Sequence, residues 1–247
     1  MNGRLFQRKK TVTKTIFEPL MRKKILIPVL ILVAIAATAA VSVVIFSKEN
    51  NRQRHAHDRL SKQELAMLRP GDIILRQGFG MVSDMISNTL DEDYKISHCG
   101  IVALDSIGKL RVIHSVSSSL SDWDGVQDVN MKGFFRESKQ NSLIVVRFRD
   151  TGDIPLAQLA GTAQSYLDRR IPFDEKFDIT EQETMYCSEM IWSAILETYG
   201  FDIYPDKTSA VATKFTPFFD TTHFAVIINH NTDVKNSPST HESPSNR

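Results

Sequence analysis

Cross-linking capacity is what this sequence lacks most. Two cysteines in 247 residues are too few for a disulfide scaffold. A single Cys99–Cys187 bridge stays open, and it would silence the thiol. An excess of charge is missing too. Thirty Lys and Arg face 29 Asp and Glu, for a formal net charge of +1, so nothing general argues for nucleic acid as a partner. There is no internal repeat. Gly78 and Gly80 lack the third glycine, and the acidic partner, of a dinucleotide fingerprint. Compact zinc spacing is absent: fifteen residues separate His98 from His114, and the cysteine is remote. His55 and His57 stand in a polar stretch without further ligands and read as solvated. No cofactor and no metal is therefore expected, and the oligomeric state is not legible.

What is present begins with an apolar run. Residues 25–46, from Ile25 to Phe46, are 22 positions without a charge. As a helix they span about 33 Å, enough for a hydrocarbon core of roughly 30 Å. Pro28 falls in the first turn, where it is tolerated. Eight basic residues and one acid, Glu18, precede the run, while the flank behind it is mixed. This bias predicts a single-pass anchor in the cytoplasmic membrane with the rest of the chain outside the cytoplasm. The competing reading is a cleaved signal peptide with Ala37-Thr38-Ala39 as its site. The run continues past that site to Phe46 and the leader is long, which favours the anchor. The expected organisation is a basic cytoplasmic segment 1–24, the transmembrane helix 25–46, a linker 47–60, one domain 61–230, and a disordered Ser/Pro/Asn/Thr-rich tail 231–247.

Within the domain, Ser61 to Leu68 reads as a short helix, Pro70-Gly71 as a turn, and Asp72 to Arg76 as a strand. Val82, Met85, Ile86 and Leu90 recur at helical spacing. Ser117 to Glu137 reads as a long loop with little regular structure, ending in a short helix near Phe134, and a loop of that length suggests a substrate wall or lid. Trp123 within it is a candidate substrate contact or a plain packing residue. A strand over 143–148, a helix over 155–167 and a last strand over 223–229 follow, with His223 incidental.

Two stretches carry chemistry. Residues 97–104 and 110–116 are apolar runs flanking a Gly-containing turn, a β-hairpin signal. Centring the turn on Ser106 sets His98 opposite His114, with Cβ atoms about 4.5–5.5 Å apart. Alternation puts both on one face with Gly100, Val102 and Val112, and turns Cys99 to the other face, a poor candidate to join them. Later, Met190, Ile191, Ala194 and Ile195 form a helical stripe stopped by Gly200, with Cys187 three and four positions before Met190 and Ile191. Thr184 as N-cap puts Cys187 in the first turn, where the helix end favours thiolate. A Thr180–Glu183 capping box puts it one turn deeper. The bland alternative is a buried core cysteine.

A thiolate nucleophile needs a base and a group to orient that base. Cys187, His98 and His114 supply these roles in turn. The Cys187 backbone N–H, with one further donor, would hold the oxyanion, and Tyr186 is a candidate for that second donor. The reaction class is acyl transfer through a thioester.

Pro-Gly-Asp-Ile-Ile at 70–74, Ser-His-Cys-Gly-Ile-Val at 97–102, Val-Ile-His-Ser at 112–115 and Tyr-Cys-Ser-Glu-Met-Ile at 186–191 resemble the YiiX/YebB-like cysteine hydrolases. These are circularly permuted members of the NlpC-type, papain-like superfamily, with the histidine strand first and the cysteine helix later. The resemblance covers roughly residues 61–204. It implies an α+β fold, an antiparallel sheet packed against a cysteine-bearing helix, and hydrolysis or transfer at an amide or ester. His114 departs from the Glu often found at the third position. In that respect the chain resembles the lecithin retinol acyltransferase-like enzymes, which act on lipid acyl groups. The substrate expected is a peptide or cell-wall amide; a lipid acyl group is the alternative. A silent binding module is the alternative of another class. An apolar pocket near Trp123 and Phe134–Phe135 would favour lipid, and a polar cleft peptide.

Overall fold

A computed structural model describes residues 18–179, 183–205 and 214–231. The Thr180 cap, the tail beyond residue 231 and the leader before residue 18 lie outside the described residues. The chain divides into two units, residues 1–49 and 50–247.

The first unit is dominated by helix α1, Glu18–His55. Its stretch Ile27–Glu49 is 23 residues, long and apolar enough to cross a membrane, with none of it buried. The hydroxyls within it donate back to the helix: Thr38 Oγ1 to the Ile35 carbonyl and Ser42 Oγ to the Thr38 carbonyl, at 2.8 and 2.9 Å. These two hydroxyls are satisfied within the helix.

The second unit is α+β. Its elements are α2 (Lys62–Met67), β1 (Ile73–Arg76), α3 (Met81–Leu90), β2 (His98–Leu104), β3 (Leu110–Val116), β4 (Gly125–Asn130), α4 (Met131–Arg136), β5 (Ile144–Phe148), α5 (Ala157–Arg169), α6 (Cys187–Tyr199) and β6 (Phe224–Asn229). The strands form one open, fully antiparallel sheet in the order β4-β3-β2-β1-β5-β6. Alternation sorts its side chains. Ile73, Leu75, Cys99, Ile101, Ile113 and Val146 join the cluster under α5 and α6. Ile74, Val102, Val112 and Val145 join Phe134, Phe135, Leu60 and Leu68 on the opposite face. Both faces are covered, so the strands read as nearly continuous apolar runs. On α6, Met190, Ile191 and Ile195 are fully buried, worth about 1.5–3 kcal/mol each. Gly200 ends that helix at φ +69°, a conformation open to glycine at little cost.

Two expectations need correction. The stretch read as a long loop contains β4, paired with β3 from Arg111↔Asn130 to Val116↔Gly125. Its apolar residues Val126 and Val129 are three apart and break strand alternation, so the element is defined by its partner. Gly125 sits at φ +80° with the Ile171 carbonyl where a Cβ would stand, and Val126 N–H donates to that carbonyl at 2.8 Å. The stretch read as linker is also partly structured. Helix α1 runs to His55, and Asp58 and Leu60 are buried. The Asp58 carboxylate accepts from Ser142 N–H, Leu143 N–H and His230 Nδ1 at 2.9, 3.0 and 2.9 Å.

Candidate active site

The hairpin that carries the histidines is centred one position later than expected. Pairs run Ile101↔Ile113, Val102↔Val112 and Leu104↔Leu110, so His98 does not stand directly opposite His114. The cause lies in the turn. The Asp105 carboxylate accepts from Ile107 and Lys109 N–H at 2.9 and 2.8 Å, and Asp105 N–H donates to the Lys109 carbonyl at 2.8 Å. The shift is an even number of residues, so the face is kept. The imidazoles meet diagonally, His98 Nε2 to His114 Nδ1 at 2.8 Å. Gly100 permits this close approach: a Cβ there would lie 2.5 Å from Val112 Cγ1 and 2.8 Å from the Ile113 carbonyl oxygen. Phe134 supports both rings, with centroids 6.0 and 5.9 Å away.

The ladder between β2 and β3 stops at Ile101↔Ile113. Beyond it, His98 pairs outward with Arg76 of β1 and His114 outward with Gln127 of β4. The two strands part between those outer partners. The turn before α6 docks there, and Ser115 Oγ donates to the Met185 carbonyl at 2.5 Å. Helix α6 begins at Cys187 with Tyr186 as N-cap, so Cys187 lies in the first turn. Cys99 does face α6, as alternation requires, and does not join the histidines. Both cysteines are free thiols.

Each group is shifted by its surroundings. The Cys99 hydrogen bond, opposed by burial and helped by the Cys99 and Ser188 amides and the Arg76 charge, holds the Cys187 thiol below its usual range. Burial drives the Cys99 thiol well up. Burial, with Arg76 next, pushes His114 down to about 3. The same causes, with His114 added, push His98 well down. Both imidazoles are therefore neutral at pH 7, and one proton lies between them. For His98 to present a bare Nδ1 as base, its Nε2–H must donate to His114 Nδ1. His114 Nε2, buried and without a hydrogen-bond partner among the described residues, then carries a proton.

Cys187, His98, His114, Arg76 and Tyr186 line one cavity of about 520 Å³. Tyr186 is buried, and its hydroxyl has no partner among the described residues. Its backbone N–H donates to Glu189 Oε2 at 3.1 Å. Burial raises the Glu189 carboxyl to about 8, with Asp174 and Asp178 adding to the effect. Trp123 is 73% exposed and outside the cavity lining. The structure thus brings the two histidines into contact and places Cys187 in the lining of the same cavity. Sequence reasoning missed Arg76. Its signal was an arginine closing an apolar strand; the pairing with His98 that gives it meaning requires the register. Among the described residues no group of three or more His, Cys, Asp or Glu could hold a metal ion.

No family model matches the chain, and no curated protein matches it. Among solved structures the chain is similar to metalloprotein yiiX from Escherichia coli O157:H7, with 20% identity over 65% of this chain and 89% of that one, and a TM-score of 0.45. At that level the likeness is one of general outline.

Proposed function

We propose that this chain is a membrane-anchored cysteine hydrolase on a circularly permuted papain-like domain, cleaving an amide through a thioester. The supporting observation is a thiol at the first position of α6 that lines one cavity with a hydrogen-bonded histidine pair. Cys187 attacks the carbonyl carbon and its proton passes to His98. His98 then protonates the leaving amine, and the thioester forms. In the second half His98 takes a proton from water, whose oxygen displaces the thiolate and releases the acid. His114 holds the His98 ring and its tautomer. The Cys187 N–H and the Tyr186 hydroxyl are the oxyanion donors in this reading. The Arg76 charge favours thiolate and oxyanion and disfavours imidazolium, so proton transfer to His98 accompanies attack rather than preceding it. The anchor is the apolar span of α1, and the basic leader argues for a domain outside the cytoplasm.

A second substrate reading has its own support. Phe79, Val82, Met85, Ile86, Phe134 and Phe173 make much of the cavity wall apolar, which suits a lipid acyl group better than a peptide. Phe134 is part of that wall; Phe135 and Trp123 are not.

The test is thiol labelling of the full chain. Wild type should react with an electrophilic amide probe faster than an ordinary exposed cysteine, and Cys187→Ala should not be labelled at that site. Labelling of Cys187 no faster than a free thiol would leave a binding module. A screen of acyl amides, peptidoglycan stems and phospholipids then separates the substrate classes.

A further inference from the structure

One peptide group joins the strand of the histidines to the helix of the thiol. It lies between Met185 and Tyr186, just before α6 and outside the sheet. Ser115 Oγ donates to its carbonyl. Its N–H, the Tyr186 amide, donates to Glu189 Oε2 at 3.1 Å. The same group is therefore held at both ends, from β3 on one side and from α6 on the other. Met185 N–H adds a further tie, to the Pro172 carbonyl at 3.0 Å.

Ser115 and Glu189 are each 1% exposed. Burying a hydroxyl or a carboxyl is costly unless it is hydrogen-bonded, and here both are spent on a single peptide group. Glu189 is the third residue of α6, and its carboxyl turns back to the residue before Cys187. Burial raises that carboxyl to about 8, so at pH 7 it accepts as a neutral acid. The sequence neighbours give the grip its meaning. Ser115 follows His114 on β3, beyond the last β2–β3 pair, Ile101↔Ile113. Tyr186 and Cys187 follow the gripped peptide. His114, Tyr186 and Cys187 line the cavity, and Glu189 does not. Its carboxyl therefore acts from behind the site, through the backbone. Moving the peptide carries Cys187 with it, and a misplacement of about 1 Å costs on the order of a hundredfold in rate.

We propose that Ser115 and Glu189 are positioning residues of the nucleophile. They clamp the Met185–Tyr186 peptide between them and so fix the first turn of α6 against the strand that carries His114. The effect on the reaction rests on the cysteine hydrolase reading; the clamp does not. Two residues that merely satisfied a buried peptide group would leave the thiol where it is when they are replaced.

The test uses the full chain in detergent micelles and dibromoacetone, which bridges a thiol and an imidazole through its carbon chain. The Cys187 thiolate displaces one bromide and a His98 nitrogen the other. Mass spectrometry reads the total alkylation of Cys187 and the fraction cross-linked to His98. In Ser115→Ala and Glu189→Leu the total should hold while the cross-linked fraction falls about tenfold. Glu189→Gln keeps an acceptor oxygen and should stay within about twofold of wild type. An unchanged fraction in both Ser115→Ala and Glu189→Leu overturns the positioning role, and so does a fall in Glu189→Gln as deep as that in Glu189→Leu. Should Glu189→Leu not fold, Ser115→Ala and Glu189→Gln decide. Wild type that is alkylated without any cross-link counts instead against the hydrolase reading, so the two failures are distinct. The clamp is then judged by hydrogen exchange at the Tyr186 amide, which should be about tenfold faster in Ser115→Ala and Glu189→Leu than in wild type and Glu189→Gln. Equal exchange in all four overturns the clamp.

Discussion

Two histidine sites in this domain use the same side chain to opposite ends. His230 lies between Asp58 and Glu64, with Nδ1 and Nε2 at 2.9 and 2.8 Å from their carboxylate oxygens. Burial works against its charge, but the two carboxylates prevail and its pKa rises. His114 lies beside Arg76 and another imidazole, and falls to about 3. The first is a clamp that ties the start of the domain to its last strand. The second is a neutral ring with a buried, unpaired nitrogen, an arrangement that costs about 1–3 kcal/mol and serves no clamp. The difference lies in the hydrogen bonds: the partners of His230 complete them, and those of His114 leave one ring nitrogen open among the described residues.

The sharpest way to break the comparison is to disable one site and assay the other. Cys187→Ala should lower turnover by roughly four orders of magnitude, while His230→Ala should leave turnover per folded molecule unchanged; steady-state rates normalised to native protein decide it. Next, His98→Gln should cost about a thousandfold in kcat, and His114→Gln less, since it only orients the base. The third measurement is stability against pH by urea unfolding. His114 binds its proton in the unfolded chain near pH 6.5 but in the folded one near 3. Its stabilisation is present above pH 6.5 and is lost as pH falls toward 3, on the order of 5 kcal/mol. His230 has the opposite sign: its contribution is full below pH 6.5 and is lost as pH rises through its elevated folded value. His114→Asn should flatten the acid limb and His230→Ala the alkaline one. Asp58→Ala should then destabilise by about 3 kcal/mol, because two buried amides lose their acceptor. The smallest expected effect is at Arg76→Met, which removes a cation that favours the Cys187 thiolate. The midpoint of thiol alkylation should move to higher pH, by about half a unit.

Sequence periodicity carried most of the elements. Strands with alternating or continuous apolar residues, and helices with clear stops such as Gly200, are legible because local pattern and tertiary burial agree. The strand β4 was not legible, since Gly125–Asn130 owes its conformation to pairing with Arg111–Val116. At the candidate site, the shared face of His98 and His114 followed from parity alone. Their diagonal contact did not, because it depends on how the Asp105 carboxylate shapes the turn. Cys99 was assigned correctly to its face, and the Cys99–Cys187 bridge that the sequence left open is not formed, both being free thiols. A face argument holds for a closed ladder, and here the ladder is open where the helix begins.

That opening has an engineering consequence. The strands bearing the imidazoles are flanked by Arg76 on one side and by Gln127 and Val126 on the other, and between them the backbone pairing gives way to the His98–His114 contact. The spacing of those two strands at the histidines therefore depends also on the neighbouring strands. Substituting side chains along β4 offers a way to retune that spacing while Cys187, His98 and His114 stay as they are.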